Sequence, residues 1–235
     1  MSVATWEAEY AAMSERWGLV SRAERLRDLT AVGSWHSTMA AMRSERDERV
    51  AEGHWRSGPR TLLAALGRQD RELALTAGFA WLLRPDGHHG LGSRVLGLVL
   101  DHVGLHEAPR RVRDVLREEE RIVVGPRGEA RPTRADLVVY APTWTIVVEA
   151  KAFAIEQPDQ LDRLFRGWGD EPDPRFVFLT RGVREEKTAV DSAGRWKHMT
   201  WRDVARIARM AVDESSAPAP GVRDYITTLE AYHRV

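Results

Sequence analysis

Two short runs rich in β-branched residues constrain this chain more than any other stretch. They are Arg134-Ala135-Asp136-Leu137-Val138-Val139-Tyr140 and Thr145-Ile146-Val147-Val148-Glu149-Ala150-Lys151, separated by Ala141-Pro142-Thr143-Trp144. Apolar runs flanking a Pro-containing turn predict two antiparallel strands in a hairpin. A turn at 141–144 brings the start of the first strand beside the end of the second, so Asp136 and Glu149 meet. Glu149 and Lys151 are two apart, and side chains alternate along a strand, so both face one side. Two acids and an amine therefore converge at one sheet edge.

Two hard oxygen ligands at a strand end suit Mg²⁺, which takes one or two carboxylates and leaves its other positions to water and substrate phosphate. A neighbouring ammonium can orient a water and stabilise charge developing on a phosphate. The competing reading is a surface Glu-Lys pair contributing about 0–1 kcal/mol. Composition weighs against it. Of 35 basic residues only Lys151, Lys187 and Lys197 are lysines, leaving 32 arginines. An amine in so Arg-biased a chain points to chemistry that wants a compact charge with a shiftable pKa.

With those residues in view, the segment resembles the PD-(D/E)XK nuclease superfamily. Asp136 stands for the first acid and Glu149-Ala150-Lys151 for the E-x-K; Glu156-Gln157-Pro158-Asp159-Gln160-Leu161 looks like the Gln-bearing start of the helix after the motif. Ala135 replaces the proline that names the family. The resemblance implies Mg²⁺ (or Mn²⁺) held by Asp136, Glu149 and the Ala150 carbonyl. It gives Lys151 the attacking water, and sets Gln160, with Gln157, to steady the lysine or touch phosphate.

Upstream, Arg71-Glu72 through Trp81-Leu82-Leu83, Pro85 and His89-Gly90-Leu91-Gly92 resemble a subgroup of that superfamily found near phage-defence genes. By that likeness Glu72 is a third acid beside the metal, and His89 stabilises its turn or touches phosphate. A salt bridge from Glu72 to Arg68 or Arg71 is the alternative. The subgroup's acid is Ser93 here. His102 and His106 have i, i+4 spacing, but no Glu follows the first as a zinc-hydrolase helix needs.

The rest of the chain supplies context. Hydrophobic residues at 43% and charged at 30% are globular values. Zero cysteines exclude disulfides and thiolate chemistry. No secretory signal and no apolar run of about 18 residues stand in the sequence, so the expected location is the cytoplasm, away from membrane. Net charge is zero, which argues against coating nucleic acid by bulk electrostatics. Phosphate contacts would come from a local patch: Arg110, Arg111, Arg113, Arg117, Arg121, Arg127, Arg131 and Arg134, the last beside Asp136 and a candidate substrate contact. An Arg/Glu-mixed solvated helix face is the equal alternative for this segment.

Residues 1–57 predict a helical extension. Trp6, Tyr10, Met13 and Trp17 recur on one helix face, a stripe of the kind that packs; Gly33-Ser34 predicts a break, with a second helix over Ser37–Glu52. This part is a candidate cap or protein-partner surface. Residues 58–235 predict the nuclease-like domain. A helical pattern runs from Arg60 to Leu83, a helix over 157–167 and a strand over Arg175–Thr180. A short strand at Trp196–Met199, a helix from Trp201 to Val212, a linker over 215–220 and a closing helix from Val222 follow. A strand, a helix and a strand in that order give a parallel neighbour. The fold class expected is α/β: a mixed central sheet of about four to five strands flanked by helices, restriction-endonuclease-like, with an N-terminal helical extension.

The function implied is a metal-dependent nuclease hydrolysing phosphodiester bonds in nucleic acid, DNA before RNA, with phage defence or restriction as the setting. The alternative is a catalytically silent nuclease-like fold that binds nucleic acid or protein. A third reading, a helical adaptor with a coincidental sheet motif, sits badly with strands and helices alternating around the trio.

Overall fold

The computed structural model describes residues 3–126, 128–151, 157, 159–182, 188–214 and 217–231. The chain divides into two compact units, Met1–Gly58 and Pro59–Val235. The first is one helix, α1 (Val3–Ala51). The expected break at Gly33-Ser34 does not occur. A single Gly costs only about 1 kcal/mol against Ala in a helix, too little to stop a run of 49 residues.

The second unit holds a five-stranded mixed sheet in sequential order. Strands β1 (Asp114–Val124), β2 (Ala130–Tyr140) and β3 (Thr145–Lys151) pair antiparallel, while β4 (Pro174–Thr180) and β5 (Trp196–Thr200) continue parallel. The predicted hairpin is present: Tyr140 faces Thr145, and the Ala141 amide donates to the Trp144 carbonyl at 3.0 Å. All seven residues of β3 are buried, as a strand covered on both faces requires.

Helices cover each face. On one lie α3 (Glu72–Leu82), α4 (Arg94–His102), α6 (Trp201–Asp213) and α7 (Pro220–Ala231); Leu75, Phe79, Leu96, Trp201 and Ile226 pack there on Leu137, Val139, Ile146 and Val148. On the other lies α5 (Gln160–Trp168), whose Leu161, Leu164 and Trp168 meet Val138, Val147, Phe176 and Phe178. Local signals set the ends. Thr200 and Asp203 form a capping box at the start of α6, and Pro220 opens α7 where a missing N–H costs nothing.

Three expectations are corrected. The pattern from Arg60 to Leu83 is not one helix: a short α2 (Leu62–Ala65) ends at Gly67, whose φ of 62° is left-handed, and α3 starts afresh at Glu72. The Arg/Glu-rich segment is no helix face: Arg110, Arg111 and Arg113 precede β1, Arg131 and Arg134 lie in β2, and Arg117, Glu118, Glu119, Glu120 and Arg121 lie in β1. Only Val115 and Val123 of this edge strand are buried, and its charges guard the open edge against further pairing. Finally α5 begins at Gln160 rather than 157, because Asp159 takes a left-handed φ of 60°; Glu156 and Pro158 lie outside the described residues. So do Arg127 of the basic patch and Ser215-Ser216 of the expected linker.

Candidate metal and acid site

The hairpin register sets the site. Pairing runs from Tyr140 with Thr145 to Leu137 with Val148, which puts the next residues, Asp136 and Glu149, level with each other. Here the ladder gives way to a side chain: Asp136 Oδ2 accepts the Ala150 amide at 2.8 Å. On the other side of β2 the pairing lapses at Glu118, which lies level with Asp136 and has a left-handed φ of 53°. Asp136, Glu149 and Lys151 are all buried, at 8%, 1% and 7% exposure. Three ionisable groups out of water at one sheet end are expensive unless they serve each other or a ligand.

Glu149 Oε1 is well supplied. It accepts from Lys151 Nζ at 2.5 Å and from Gln160 Nε2, at the first turn of α5, at 2.6 Å. Gln160 is held in turn by the Gln157 amide, which donates to its Oε1 at 3.1 Å; the Gln157 side chain is exposed. Glu149 Oε2 is different: it is buried and has no hydrogen-bond partner among the described residues. A buried carboxylate oxygen without a donor costs about 1–3 kcal/mol or more.

Electrostatics agree with the geometry. Burial first, then the nearby Asp136 charge, push the Glu149 carboxyl up to about 8 despite Lys151. Burial likewise raises Asp136, against the Ala150 amide and Lys151. Burial pulls Lys151 down, but Glu149 and Asp136 outweigh it, so its pKa ends above the ordinary amine value. Glu72, half-buried in the first turn of α3, lies close enough for its charge to raise all three groups.

A divalent cation would answer this arrangement. Asp136 and Glu149 offer hard carboxylate oxygens, one of them unpartnered. The carbonyl of Ala150 opens towards the same side as its amide, since both groups of a strand residue address one neighbour. The donor set suits Mg²⁺ or Mn²⁺ rather than a soft metal. Among the described residues no group of three or more His, Cys, Asp or Glu is disposed to hold a metal. Such a cation would thus use two side-chain carboxylates and fill its remaining positions from backbone and water.

The other candidate residues divide. Arg134 is exposed beside the site and pairs with Glu118 at 3.2 Å. His89 is fully buried: its Nδ1 accepts the Leu91 amide at 3.0 Å, which leaves Nε2 to donate to the Arg84 carbonyl at 2.7 Å. Both ring nitrogens are engaged inside the turn, so its geometry supports turn stabilisation and leaves nothing for phosphate. His102 bonds the His198 carbonyl and His106 pairs with Asp101, away from any shared metal.

The arginine patch splits as well. Arg110, Arg111 and Arg113 join Arg84 around a cavity of about 310 Å³. The Arg113 amide donates to the carbonyl of Tyr140, the last residue of β2 and four residues on from Asp136. Arg121 is built into the fold: it donates to the Gly167 carbonyl, Glu171 and the Tyr140 hydroxyl at 2.8, 2.7 and 2.6 Å and lies over the Trp168 ring. The Tyr140 hydroxyl also donates to Glu119 at 2.8 Å and accepts from Trp168 Nε1 at 2.9 Å; burial and that carboxylate raise its pKa to about 12. Sequence reasoning gave no sign of this network, which clamps α5 to the sheet.

Comparison of the chain with protein families, curated proteins and solved structures finds no match.

Proposed function

We propose that the 59–235 unit is a divalent-metal-dependent nuclease that hydrolyses phosphodiester bonds, DNA before RNA, on a restriction-endonuclease-like core. The observation that carries this reading is the buried Glu149 Oε2, unpartnered beside Asp136 and within one side chain of Lys151. A cation held between Asp136 and Glu149 would give that buried oxygen a partner.

Asp136, Glu149 and the Ala150 carbonyl would hold the cation. Bound there, Mg²⁺ or Mn²⁺ supplies a polarised water and neutralises charge on the phosphate. Without metal, Glu149 and Asp136 raise the pKa of Lys151. As an ammonium it would orient the attacking water and meet negative charge on the phosphoryl oxygens. Gln160 holds Glu149 Oε1 in place while Lys151 turns towards substrate. Glu72 adds negative charge at the rim, which favours a cation and keeps the lysine protonated. Arg134, exposed and near Asp136, would exchange Glu118 for a phosphate of the incoming strand.

The test is cleavage of plasmid, linear and single-stranded DNA and of RNA with Mg²⁺, Mn²⁺ or chelator. Metal-dependent cutting that falls by on the order of 10²–10³-fold in Lys151→Ala supports the assignment. Unchanged cutting in that variant removes the lysine from the scheme. A folded protein that neither cuts nor binds Mg²⁺ is a silent nuclease-like fold. The phage-defence setting rests on family resemblance, and loss of plaque protection in Asp136→Ala tests it.

A further inference from the structure

From Thr5 to Ala51 every residue of α1 is exposed except Gly18 and Ser21, which are half-buried. The stripe expected to pack therefore faces solvent: Trp6, Tyr10, Met13 and Trp17 are 58–72% exposed, and Trp35 is 73% exposed. Solvated aromatics at this density mark a surface awaiting a partner.

The order of the stripe identifies that partner. Read forwards from Trp6, one helix face carries Trp6, Tyr10, Met13, Trp17, Val20 and Glu24, at steps of four, three, four, three and four. Read backwards from Arg46, the same face carries Arg46, Met42, Met39, Trp35, Val32 and Asp28, at the same steps. The pattern is palindromic in spacing throughout and in residue type from Met13 to Met39, centred between Glu24 and Asp28. Leu19 and Leu26 lie on the opposite face.

We propose that α1 pairs antiparallel with α1 of a second copy of this chain, on a two-fold axis at that centre. The register sets Trp17 against Trp35, Met13 against Met39, Tyr10 against Met42 and Val20 against Val32. Each end seats Arg46 on Trp6, a cation over an indole face. At the centre the same register sets Glu24 opposite Asp28 of the other helix, with Arg25 and Arg27 flanking these acids and offsetting their charge. A two-fold contact needs such a self-complementary patch, and a palindromic stripe is what supplies one along a helix. The stripe repeats every eleven residues through Trp6, Trp17, Asp28 and Met39, a period that winds the pair into a shallow right-handed supercoil.

The area suffices. Trp6 to Arg46 spans about 60 Å of helix, and large aromatics bury about 150–250 Å² each. Four of them with five aliphatic side chains remove on the order of 800 Å² per chain, the size of a stable interface. Charge fits a helix partner better than a lipid surface. The helix carries seven arginines and eight acids, without the basic excess of a membrane-binding face.

The experiment uses the full chain, which has no native cysteine. Light scattering after gel filtration should give twice the 26.6 kDa chain mass. Trp17→Glu with Trp35→Glu should shift it to monomer, while Leu26→Glu, on the opposite face, should leave the dimer intact. Cysteine crosslinking reads the register. Met13→Cys chains mixed with Met39→Cys chains should crosslink to each other, whereas neither should crosslink alone, its two copies lying roughly 40 Å apart. A monomeric wild type, or crosslinking of Met13→Cys to itself as in a parallel pair, overturns the proposal. None of these readouts depends on nuclease activity, so the two assignments fail separately.

Discussion

Replacing Glu149 by Gln keeps the shape of the side chain and removes its charge, which isolates what the buried carboxylate costs. In the folded protein that carboxyl titrates at about 8, against 4.5 in the unfolded chain. A folded-state pKa above the unfolded one contributes stability that is full below the unfolded value and lost as pH rises through the folded one. The window is therefore pH 4.5 to 8, and the loss amounts to at most roughly 5 kcal/mol at 1.36 kcal/mol per unit. Asp136, raised by the same burial, loses stability in the same direction. Lys151, raised above 10.5, keeps its contribution until the pH passes that value, so it adds no slope here. In Glu149→Gln the new side chain would still accept from Lys151 and Gln160 through its one oxygen, and its amide nitrogen would donate to Asp136. With chelator present, urea unfolding should show the wild type losing stability from pH 5 to pH 9 while Glu149→Gln stays nearly level. The variant should end about 2–4 kcal/mol ahead at pH 9 and about level at pH 5. Adding Mg²⁺ at pH 9 should restore the wild type and do nothing for the variant. A wild type whose stability is flat across this range in chelator would refute the reasoning, because Glu149 would then ionise as an ordinary surface acid.

Three further substitutions test how the fold holds the site. Asp162, buried on α5, accepts the Val190, Asp191 and Ser192 amides at 2.8–3.0 Å and the Ser192 hydroxyl at 2.6 Å; against the cost of burial these bonds hold its pKa below the usual carboxylate value. Asp162→Asn turns an acceptor into a donor facing donors and should cost about 2–4 kcal/mol in urea unfolding at pH 7; in the wild type the same stability should disappear only as pH falls below 3.8. Arg121→Met removes the cation over Trp168 and the hydrogen bonds to Gly167, Tyr140, Glu171 and Glu119, and should lower stability by about 2–3 kcal/mol with a change in tryptophan fluorescence. Gly78→Ala would place a Cβ against the Tyr225 ring, whose hydroxyl is tied to the Leu75 carbonyl at 2.6 Å. A fixed ring cannot yield, so the variant should lose about 1–3 kcal/mol, read as a lower Tm.

What the sequence made legible was short in range. The hairpin could be read because a turn of four residues sets the register, and the register alone brings Asp136 to Glu149. Gln160 was expected only through the resemblance of its segment to the helix start after the motif, and it does bond Glu149. Failures came where one pattern suits two structures or where distant residues decide. Three glutamates in a row at 118–120 read as a helix surface, yet an edge strand needs charges just as much. The Tyr140 network draws Glu119, Arg121, Trp168 and Glu171 from separate elements, and no local pattern announces it. For His89 the resemblance offered turn stabilisation or a phosphate contact, and only the buried geometry, with both nitrogens bonded to backbone, favours the first.

The aromatic stripe of α1 teaches the opposite lesson. Periodicity states that a face is apolar and says nothing of what covers it. In α3 and α6 the cover is the sheet, which Leu75, Phe79, Trp201 and Val204 reach. In α1 the same kind of face stays open, with Trp17 and Trp35 more than two-thirds exposed. Exposure by itself would admit any partner. The mirror order of the stripe does not, because a sequence that reads alike from both ends along a helix matches its own reversed copy better than an unrelated surface. Loss of the dimer in Trp17→Glu/Trp35→Glu, with the same unfolding transition for residues 59–235, would show that the palindrome serves association and not the fold.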